Sequence, residues 1–196
     1  MDAAEELMLE RGFAGTPIDD VLGVAGVTKG AFFHHFSSKQ ELAHALIDRY
    51  ARLDISHLED KMHRAEELST DPLQQLLVFV GLFREEAEEL TQPYPGCLMG
   101  SYCYEAGLFD TAVLDVIRDT MKTWRERILA KLRQVEARYP PRRDVDLESL
   151  ADQITVVFEG AYILSKVVSE PAVVAAQLTH HRTYLELLFA PEDQLS

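Results

Sequence analysis

The twelve residues from Thr28 to Lys39 bring basic, hydroxyl and imidazole side chains together in a chain that is otherwise acidic. The segment contains two lysines and no aspartate or glutamate, whereas the whole 196-residue chain carries a formal net charge of −14. Lysine, histidine and hydroxyl side chains donate hydrogen bonds to phosphate oxygens and base edges. Because affinity for nucleic acid depends on local charge, this segment can bind DNA despite the acidity of the whole chain.

A second chemistry is metal binding, for which Glu41 with His44 and Asp60 with His63 have the spacing of helical ligand pairs. Helical bundles use such pairs to hold two metal ions, together with carboxylates from two further helices. The sequence offers no evident position for those carboxylates, and Glu41 is better explained as a helix-capping residue. We therefore expect no metal, no cofactor and no enzymatic activity, and a di-metal helical enzyme remains a minor alternative.

Two short helices must position the segment that begins at Thr28. Thr16 and Pro17 have the residue types of a helix start, and Gly26 ends that helix after about nine residues. Thr28 can then cap a second short helix, which Phe32 and Phe36 would anchor to a core. Two such helices can occur in any bundle, but a tight turn between them is also helix-turn-helix geometry, in which the second helix enters a DNA major groove.

Helical periodicity dominates the remaining chain, and no alternating pattern indicates a sheet. The other predicted helices comprise one ending at Gly12, four at about 39–58, 71–90, 97–104 and 111–139, and a last stretch from Leu147 to Phe189 interrupted at Pro171. The sequence thus predicts an all-α protein. Residues 1–50 form a three-helix head that binds DNA, and residues 51–196 form a larger helical body for ligand binding and dimerisation.

Composition supports a cytoplasmic protein that does not enter a membrane. Hydrophobic residues make up 47% and charged residues 27% of the chain, which is typical of soluble globular proteins. The longest apolar run, Leu76–Phe83, is far shorter than the ~20 residues of a membrane helix. No secretory leader opens the sequence, and Cys97 and Cys103 are too few for a disulfide framework.

The first fifty residues resemble the TetR family of bacterial transcriptional regulators. The motifs that carry this resemblance are Gly12-Phe13, Thr16-Pro17-Ile18-Asp19-Asp20-Val21, Ala25-Gly26-Val27-Thr28-Lys29-Gly30 and Phe32-Phe33-His34-His35-Phe36-Ser37-Ser38-Lys39. The body resembles the family in helical layout and length. The resemblance implies a homodimer whose two heads bind a palindromic operator, and a small molecule that enters the body and releases them.

The resemblance also implies roles for eight residues of the head. Thr16 would hold a phosphate from the start of the second helix, and His35 and Lys39 would touch backbone phosphates. The residues facing the groove would be Thr28, Lys29, Gly30, Phe33 and His34. Since the family usually has tyrosine at the position of Phe33, we expect this ring to contact a thymine methyl or a sugar in place of a phosphate.

The charge of the head limits this interaction. Residues 1–50 hold four basic and eight acidic side chains, a net charge of −4. No basic arm precedes the first helix, so either the natural start lies upstream or the attraction for phosphate is weakened. We expect binding through a focused positive stripe and the amino ends of helices, with modest affinity and strong salt dependence.

Two apolar stripes in the body predict a dimer seam. Their spacing alternates between four and three residues, as in helical bundles, and two helices from each chain would form a four-helix interface. The predicted seam consists of Ile128, Leu132, Leu150, Ile154, Val157, Ala161, Leu164 and Val168. Packing of the two stripes on each other within one chain is the alternative, but Val156, Phe158, Tyr162, Ile163 and Val167 add apolar surface on other faces.

Aromatic and sulfur-containing side chains are more numerous in the body than a minimal core needs. Such a group favours a pocket for a hydrophobic or aromatic small molecule, because ligand sites are mostly apolar with a few polar groups. The predicted pocket residues are Phe79, Phe83, Met99, Tyr102, Cys103, Phe109, Trp124, Phe158 and Tyr162. The sequence as a whole predicts a dimeric, ligand-responsive DNA-binding regulator, most simply a repressor. A dimeric helical scaffold with impaired DNA binding is the alternative from another class.

Overall fold

The structure, a computed structural model, describes residues 1–189, which form helices joined by short connections, with no strand among them. In chain order the helices are α1 (Asp2–Arg11), α2 (Ile18–Ala25), α3 (Lys29–His35), α4 (Lys39–Leu68), α5 (Pro72–Glu88), α6 (Leu98–Tyr104), α7 (Thr111–Arg138), α8 (Leu147–Val168) and α9 (Ala172–Phe189). A short 3₁₀ turn, Ala106–Leu108, lies between α6 and α7. The predicted all-α class is confirmed, and the last residues of the predicted body, 190–196, lie outside the described residues.

Local signals account for most helix boundaries. Asp71 caps α5 by accepting hydrogen bonds from the amides of Leu73 and Gln74, both at 3.0 Å, and Pro72 occupies the first helical position. The largest difference is in α4, which continues ten residues beyond the predicted end at Leu58. Leu58, Met62 and Ala65 are fully buried at a helical spacing, so packing of this stripe extends the helix.

The chain divides into two compact units. The first unit is Met1–Asp54 with Pro95–Thr120, and the second unit is Ile55–Tyr94 with the chain from Met121 onward. The predicted division at residue 50 differs from this, because residues 95–120 group with the head. Periodicity shows that a segment is helical and which face is apolar, but it does not show which distant helix covers that face.

The hydrophobic core of the second unit contains most of the predicted dimer seam, so that prediction needs correction. Five of its eight residues, Ile128, Leu132, Leu150, Ile154 and Ala161, are at most 5% exposed inside a single chain. Val157 is half-buried against the same core, and Leu164 and Val168 are exposed. The two stripes therefore largely serve the fold of one chain, which is the alternative that the sequence left open.

The exposed apolar surface of α8 lies on another face of that helix. Val156, Ile163 and Val167 are more than half exposed, and Gly160 completes the stripe at helical spacing. Tyr184 and Leu187 on α9, which packs against α8, are also exposed. Within residues 1–189, none of the helices is long and apolar enough to cross a lipid bilayer.

His181 occupies a core position of α9 between the buried Leu178 and Leu185. The side chain is 6% exposed, and Nδ1 has no hydrogen-bond partner. Burial lowers the pKa of His181 from 6.5 to about 4, because the charged imidazolium is poorly solvated there.

We predict that acid destabilises the protein through His181. Between about pH 6.5 and 4 the unfolded chain takes up a proton that the folded chain rejects, so the free energy of unfolding falls by about 1.4 kcal/mol per pH unit from this group. Above pH 6.5 the effect vanishes. His181→Leu should remove this part of the acid sensitivity, measured by urea unfolding at fixed protein concentration across that range. The exposed His63→Gln is the control, and equal acid sensitivity of wild type and His181→Leu would contradict the prediction.

Candidate functional site

The turn between α2 and α3 forms as the residue types predict. Gly26 adopts the left-handed conformation (φ 65°, ψ 29°), and the amides of Gly26 and Val27 both donate to the carbonyl of Leu22. Thr28 then caps α3, since its hydroxyl accepts a hydrogen bond from the Ala31 amide at 3.2 Å. The two helices are therefore set at a fixed angle by local hydrogen bonds.

One side of α3 is anchored by aromatic packing. Phe32 is 6% exposed, and its ring lies 5.1 Å from that of Phe33 and 5.6 Å from that of Phe36, measured between centroids. The predicted anchoring role of Phe32 is confirmed, and Phe36 is half-buried. Such edge-on and tilted contacts between rings stabilise the orientation of a short helix that has few turns of its own.

The other side of α3 is presented to solvent. The structure leaves six of the eight residues predicted to contact DNA exposed: Thr28, Lys29, Gly30, Phe33, His34 and His35. A Cβ at Gly30 would meet only the Thr28 hydroxyl, at 4.0 Å, so glycine is not required by packing and leaves the backbone open to a close approach. Phe33, 44% exposed, adds apolar surface to a face that is otherwise polar.

Charge on this face is modest and partly compensated. The Lys29 ammonium lies 3.8 Å from the Asp19 carboxylate, and both side chains are largely exposed. Arg11, in the last turn of α1, pairs with Asp20 in the first turn of α2 at 3.2 Å. Exposed pairs of this kind are weak, so Lys29 remains available to a phosphate that competes with Asp19.

Thr16 and Lys39 differ from their predicted roles as phosphate contacts. Thr16 is fully buried. Its hydroxyl donates to the carbonyl of Gly12 at 2.7 Å, and the carbonyl of Leu7 lies 3.2 Å from the same hydroxyl. It does not cap α2, whose first turn lacks a side-chain cap. The Lys39 ammonium donates to the backbone carbonyl of Phe13 and lies 4.1 Å from the centre of the Phe13 ring. Both side chains hold the α1–α2 turn together inside the head.

Sequence reasoning missed Glu105, which also holds the α1–α2 turn. Its carboxylate accepts hydrogen bonds from the amides of Phe13, at 2.6 Å, and Ala14, at 3.2 Å. Burial lowers the pKa of Lys39, and the nearby Glu105 carboxylate acts in the opposite direction. No local signal could reveal these contacts, because Glu105 is 92 residues from Phe13 in sequence.

Glu41 and His44, the first pair considered for metal binding, have other partners. Glu41 accepts hydrogen bonds at 2.6 Å from both the amide and the hydroxyl of Ser37, and these bonds lower the pKa of Glu41. This is a capping arrangement at the start of α4, while His44 pairs with Asp48 on the same helix. In the described part of the chain, no group of three or more His, Cys, Asp or Glu side chains is arranged to hold a metal ion.

The nine predicted pocket residues are divided between the two units. Met99, Tyr102, Cys103 and Phe109 belong to the first unit. There Tyr102 is completely buried, with its ring 4.2 Å from that of Phe109 and its hydroxyl 3.4 Å from the Met8 sulfur, and burial raises its pKa. Cys103 is exposed. Met99, Tyr102 and Phe109 thus pack within the first unit, whereas the other five predicted pocket residues belong to the second unit.

The other five residues form a continuous aromatic cluster in the second unit. We call this the aromatic cluster: Phe79, Phe83, Trp124, Phe158 and Tyr162. The Phe83 ring is at its centre, 5.2 Å from Phe79, 5.9 Å from Trp124 and 5.2 Å from Phe158, between centroids. Tyr162 lies 5.9 Å from Phe158 and extends the cluster. The structure brings these five predicted residues together, and their role as a ligand pocket stays a prediction.

Polar groups border the aromatic cluster at Phe83. The His57 ring is 5.1 Å from the Phe83 ring, and the Lys61 ammonium lies 5.9 Å from its centroid. Both groups contact the carboxylate of Glu86, Lys61 at 2.8 Å and His57 at 3.0 Å. Within the acidic run 85–89, Glu86 thus has a defined pairing role beside the aromatic cluster.

A separate groove of about 570 Å³ lies on the surface of the second unit. Its lining combines aliphatic and charged side chains: Arg64, Leu68, Leu77, Val78, Gly81, Leu82, Arg84, Glu85 and Arg182. None of the predicted pocket residues lines it. The arginines each pair with a glutamate on their own helix, which leaves little net charge in the groove.

Comparison with protein families assigns both parts of the chain. Residues 1–46 match the family model described as bacterial regulatory proteins, tetR family. Residues 72–181 match the model described as the tetracyclin repressor-like C-terminal domain, which covers more than half of the chain. The first match includes the whole of α2, the turn and α3.

Individual relatives span most of the chain. The transcriptional regulator AcuR of Cereibacter sphaeroides is 28% identical over 169 residues, covering 86% of this chain and 75% of that protein. The HTH-type transcriptional repressor DhaR of Mycobacterium sp. (strain GP1) is 23% identical over 85% of this chain and 80% of its own length. The crystal structure of regulatory protein TetR from Rhodobacter sphaeroides superposes with a TM-score of 0.76 at 24% identity, covering 93% of this chain and 95% of that one, which shows the shared fold.

Proposed function

The chain belongs to the TetR family of bacterial transcriptional regulators, and from this premise we propose that it is a cytoplasmic, homodimeric repressor that a small-molecule effector releases from a palindromic operator. The observation that carries the DNA-binding part is α3 itself. This helix is anchored through Phe32 and directs Lys29, Phe33 and His34 to solvent. A short, anchored helix with an exposed polar face has the form needed to enter a major groove.

The structural observations favour a different DNA contact for each exposed residue of α3. Lys29 contacts a phosphate or a guanine edge, His34 and His35 donate to the DNA backbone, and Phe33 packs on a thymine methyl or a sugar. Gly30 lets the helix backbone approach the bases closely. Thr16 and Lys39 contribute indirectly, by holding the α1–α2 turn that precedes α2.

The homodimer is supported by the exposed stripe of α8, defined by Val156, Gly160, Ile163 and Val167, and by the exposed Tyr184 and Leu187 of α9. Contiguous apolar surface of this kind marks an interaction site. A two-fold axis beside α8 and α9 would bury the stripe against its own copy in a four-helix interface. This proposal replaces the seam expected from the sequence.

Repression is supported by the description of DhaR as a repressor, and effector release by the aromatic cluster in the second unit. The effector must bind more tightly to the conformation in which the two heads are wrongly spaced for DNA. Correct spacing places them in two successive major grooves, which are roughly 34–36 Å apart. The coupling needed is about 1–3 kcal/mol, which corresponds to roughly 5- to 150-fold in operator affinity.

A mobility-shift titration with the DNA that flanks the protein's own gene tests the proposal. We expect retardation at low salt that a small-molecule extract of the cell abolishes. Increased transcription of the neighbouring gene on deletion of the protein supports repression, and decreased transcription would show an activator. The absence of any shift at low salt would contradict DNA binding and favour the scaffold alternative.

The salt dependence of binding tests Lys29 directly. Lys29→Ala should lower the slope of log affinity against log salt by about one, because one phosphate contact and its released counterion are lost. The measurement is fluorescence anisotropy of labelled operator at several salt concentrations. Lys122→Ala, which makes the same change in charge in the second unit, should leave the slope unchanged. An unchanged slope for Lys29→Ala would show that Lys29 is not a phosphate ligand.

A further inference from the structure

We infer that the effector of this protein is a small carboxylate with a flat apolar body, held by Lys61 and His57 at the edge of the aromatic cluster. This inference rests on the proposed function, since it names the chemical class of the ligand to which the regulator responds. It is carried by the arrangement of one ammonium, one imidazole and one carboxylate beside the ring of Phe83.

The ammonium at this site is shielded from solvent, whereas the carboxylate that neutralises it is half-exposed. The Lys61 side chain is only 19% exposed, and its ammonium lies over the edge of the cluster, 5.9 Å from the Phe83 centroid. The Glu86 side chain is 46% exposed and contacts both Lys61 and His57. A carboxylate on a half-exposed side chain can rotate into solvent at little cost, because it exchanges a protein partner for water.

A ligand carboxylate can therefore replace Glu86 as the partner of Lys61 and His57. The exchange keeps the half-buried ammonium paired, and leaving such a charge without a partner would be unfavourable. Charge-assisted hydrogen bonds from an ammonium and an imidazole to one carboxylate are among the stronger polar contacts. The site thus selects for negative charge.

The same arrangement disfavours a cationic ligand. Aromatic rings beside a carboxylate are a common site for cations, but here Glu86 already has two basic partners. A cationic ligand would be repelled by the ammonium of Lys61, which lies 5.9 Å from the Phe83 centroid. With the Glu86 carboxylate rotated into solvent, the charge left beside the rings is that of the Lys61 ammonium.

The rings supply the surface for the rest of the ligand. Phe83 meets Phe79 and Phe158 edge-on, with interplanar angles of 78° and 69°, and Trp124 meets Phe158 at 76°. Phe158 and Tyr162 are half-buried and stack at 29°. Edge-on packing is the preferred geometry between aromatic rings, so a flat unsaturated group can join the cluster by the same kind of contact.

The single tryptophan of the sequence gives the experiment its signal. Trp124 belongs to the aromatic cluster, so its fluorescence responds to a molecule that binds there. We propose titrating the full-length dimer with benzoate, benzamide and benzamidine, which are nearly equal in size and carry negative, zero and positive charge. Benzoate should bind at least roughly tenfold more tightly than either of the others.

Three substitutions assign the preference to the proposed groups. Lys61→Met should reduce benzoate affinity to that of benzamide, while Lys61→Arg retains the preference and shows that the fold is intact. Glu86→Gln should tighten benzoate binding severalfold, because the competing carboxylate is lost. Glu85→Gln makes the same change in net charge one residue away, and it should have no effect.

The outcomes distinguish this inference from the proposed function. Equal or tighter binding of benzamide or benzamidine, no Trp124 response to any of the three, or a benzoate preference that survives Lys61→Met would each overturn the inference. The same preparations are titrated with the operator DNA. Intact DNA binding with no benzoate preference overturns only the ligand class, whereas absent DNA binding by the wild type overturns the proposed function.

Discussion

Ile163→Glu is expected to convert the proposed dimer into a monomer and to weaken operator binding by about a hundredfold or more. Ile163 is 52% exposed in the single chain, at the centre of the α8 stripe, so the substitution costs the isolated fold little. In the dimer the new carboxylates from two copies would lie together in a desolvated interface without a cationic partner, which is strongly unfavourable. A monomer binds one half-site, and it loses the gain of roughly 10²–10⁴ that two linked heads provide.

Sedimentation equilibrium gives the oligomeric state, and anisotropy titration gives the operator affinity. Leu68→Glu is a matched control, since Leu68 is 52% exposed in the same unit and lines the surface groove, to which α8 contributes no residue. A second variant, Gly160→Leu, tests the interface without burying charge. A Cβ at Gly160 meets nothing within 4 Å in the single chain, so only a partner would oppose the added side chain. Dimeric Ile163→Glu would contradict the interface that we propose.

Glu105→Ala is expected to lower the free energy of unfolding of the first unit by about 2–3 kcal/mol. The substitution removes the acceptor of two backbone amides, those of Phe13 and Ala14, and hydrogen bonds to charged groups contribute about 1.5–3 kcal/mol each when buried. The contact with the Ala14 amide is exposed, so water can replace it and the total loss is smaller than two buried hydrogen bonds would give. Glu105→Gln retains a carbonyl acceptor and should lose roughly half as much.

Operator affinity should fall with Glu105→Ala by roughly three- to tenfold, at temperatures where the head remains folded. The α1–α2 turn orients α2, and α2 orients α3 through the Gly26 turn. Hydrogen exchange at Phe13 and Ala14 separates this local effect from global unfolding. Unchanged exchange at both amides in Glu105→Ala would show that the carboxylate does not hold the turn.

Gly12 gives the Glu105 contact a structural context. Its backbone (φ 75°, ψ 170°) lies in a region that essentially only glycine adopts, and a Cβ there would come within 3.1 Å of a Glu105 carboxylate oxygen. The glycine at position 12 therefore leaves the space that the Glu105 carboxylate occupies. The motif Gly12-Phe13 was recognisable in the sequence, but its acceptor was not.

The contrast between Thr28 and Thr16 shows where sequence reasoning succeeded. Thr28 caps the helix that starts at the next residue, and a cap depends only on atoms three residues away. Thr16 has the same residue type and also precedes a predicted helix start, yet its hydroxyl donates back to Gly12 and Leu7 because the packing of α1 brings those carbonyls within reach. Residue type alone does not show whether a threonine hydroxyl caps the next helix or donates to a carbonyl of the preceding one.

The apolar stripes of α8 show that the sequence also does not predict which apolar face is buried. Ile154 and Ile163 lie on the same helix and have the same side chain, but one is 2% exposed and the other 52%. Periodicity identified apolar residues on more than one face of the helix. Which face meets the core of the same chain depends on the positions of α5, α7 and α9, so most of the residues predicted for the seam are buried within one chain.

By itself the sequence determined the helical class, the helix-turn-helix with its exposed α3, and the family, because capping, helical periodicity and a compact motif all act over a few residues. Tertiary structure alone decided that Lys39 and Glu105 hold the α1–α2 turn and that the pocket residues divide between two units. It also decided that Glu86 pairs with Lys61 and His57 beside the aromatic cluster. These contacts join residues 25 to more than 90 positions apart, and their energies depend on distances that no local pattern encodes.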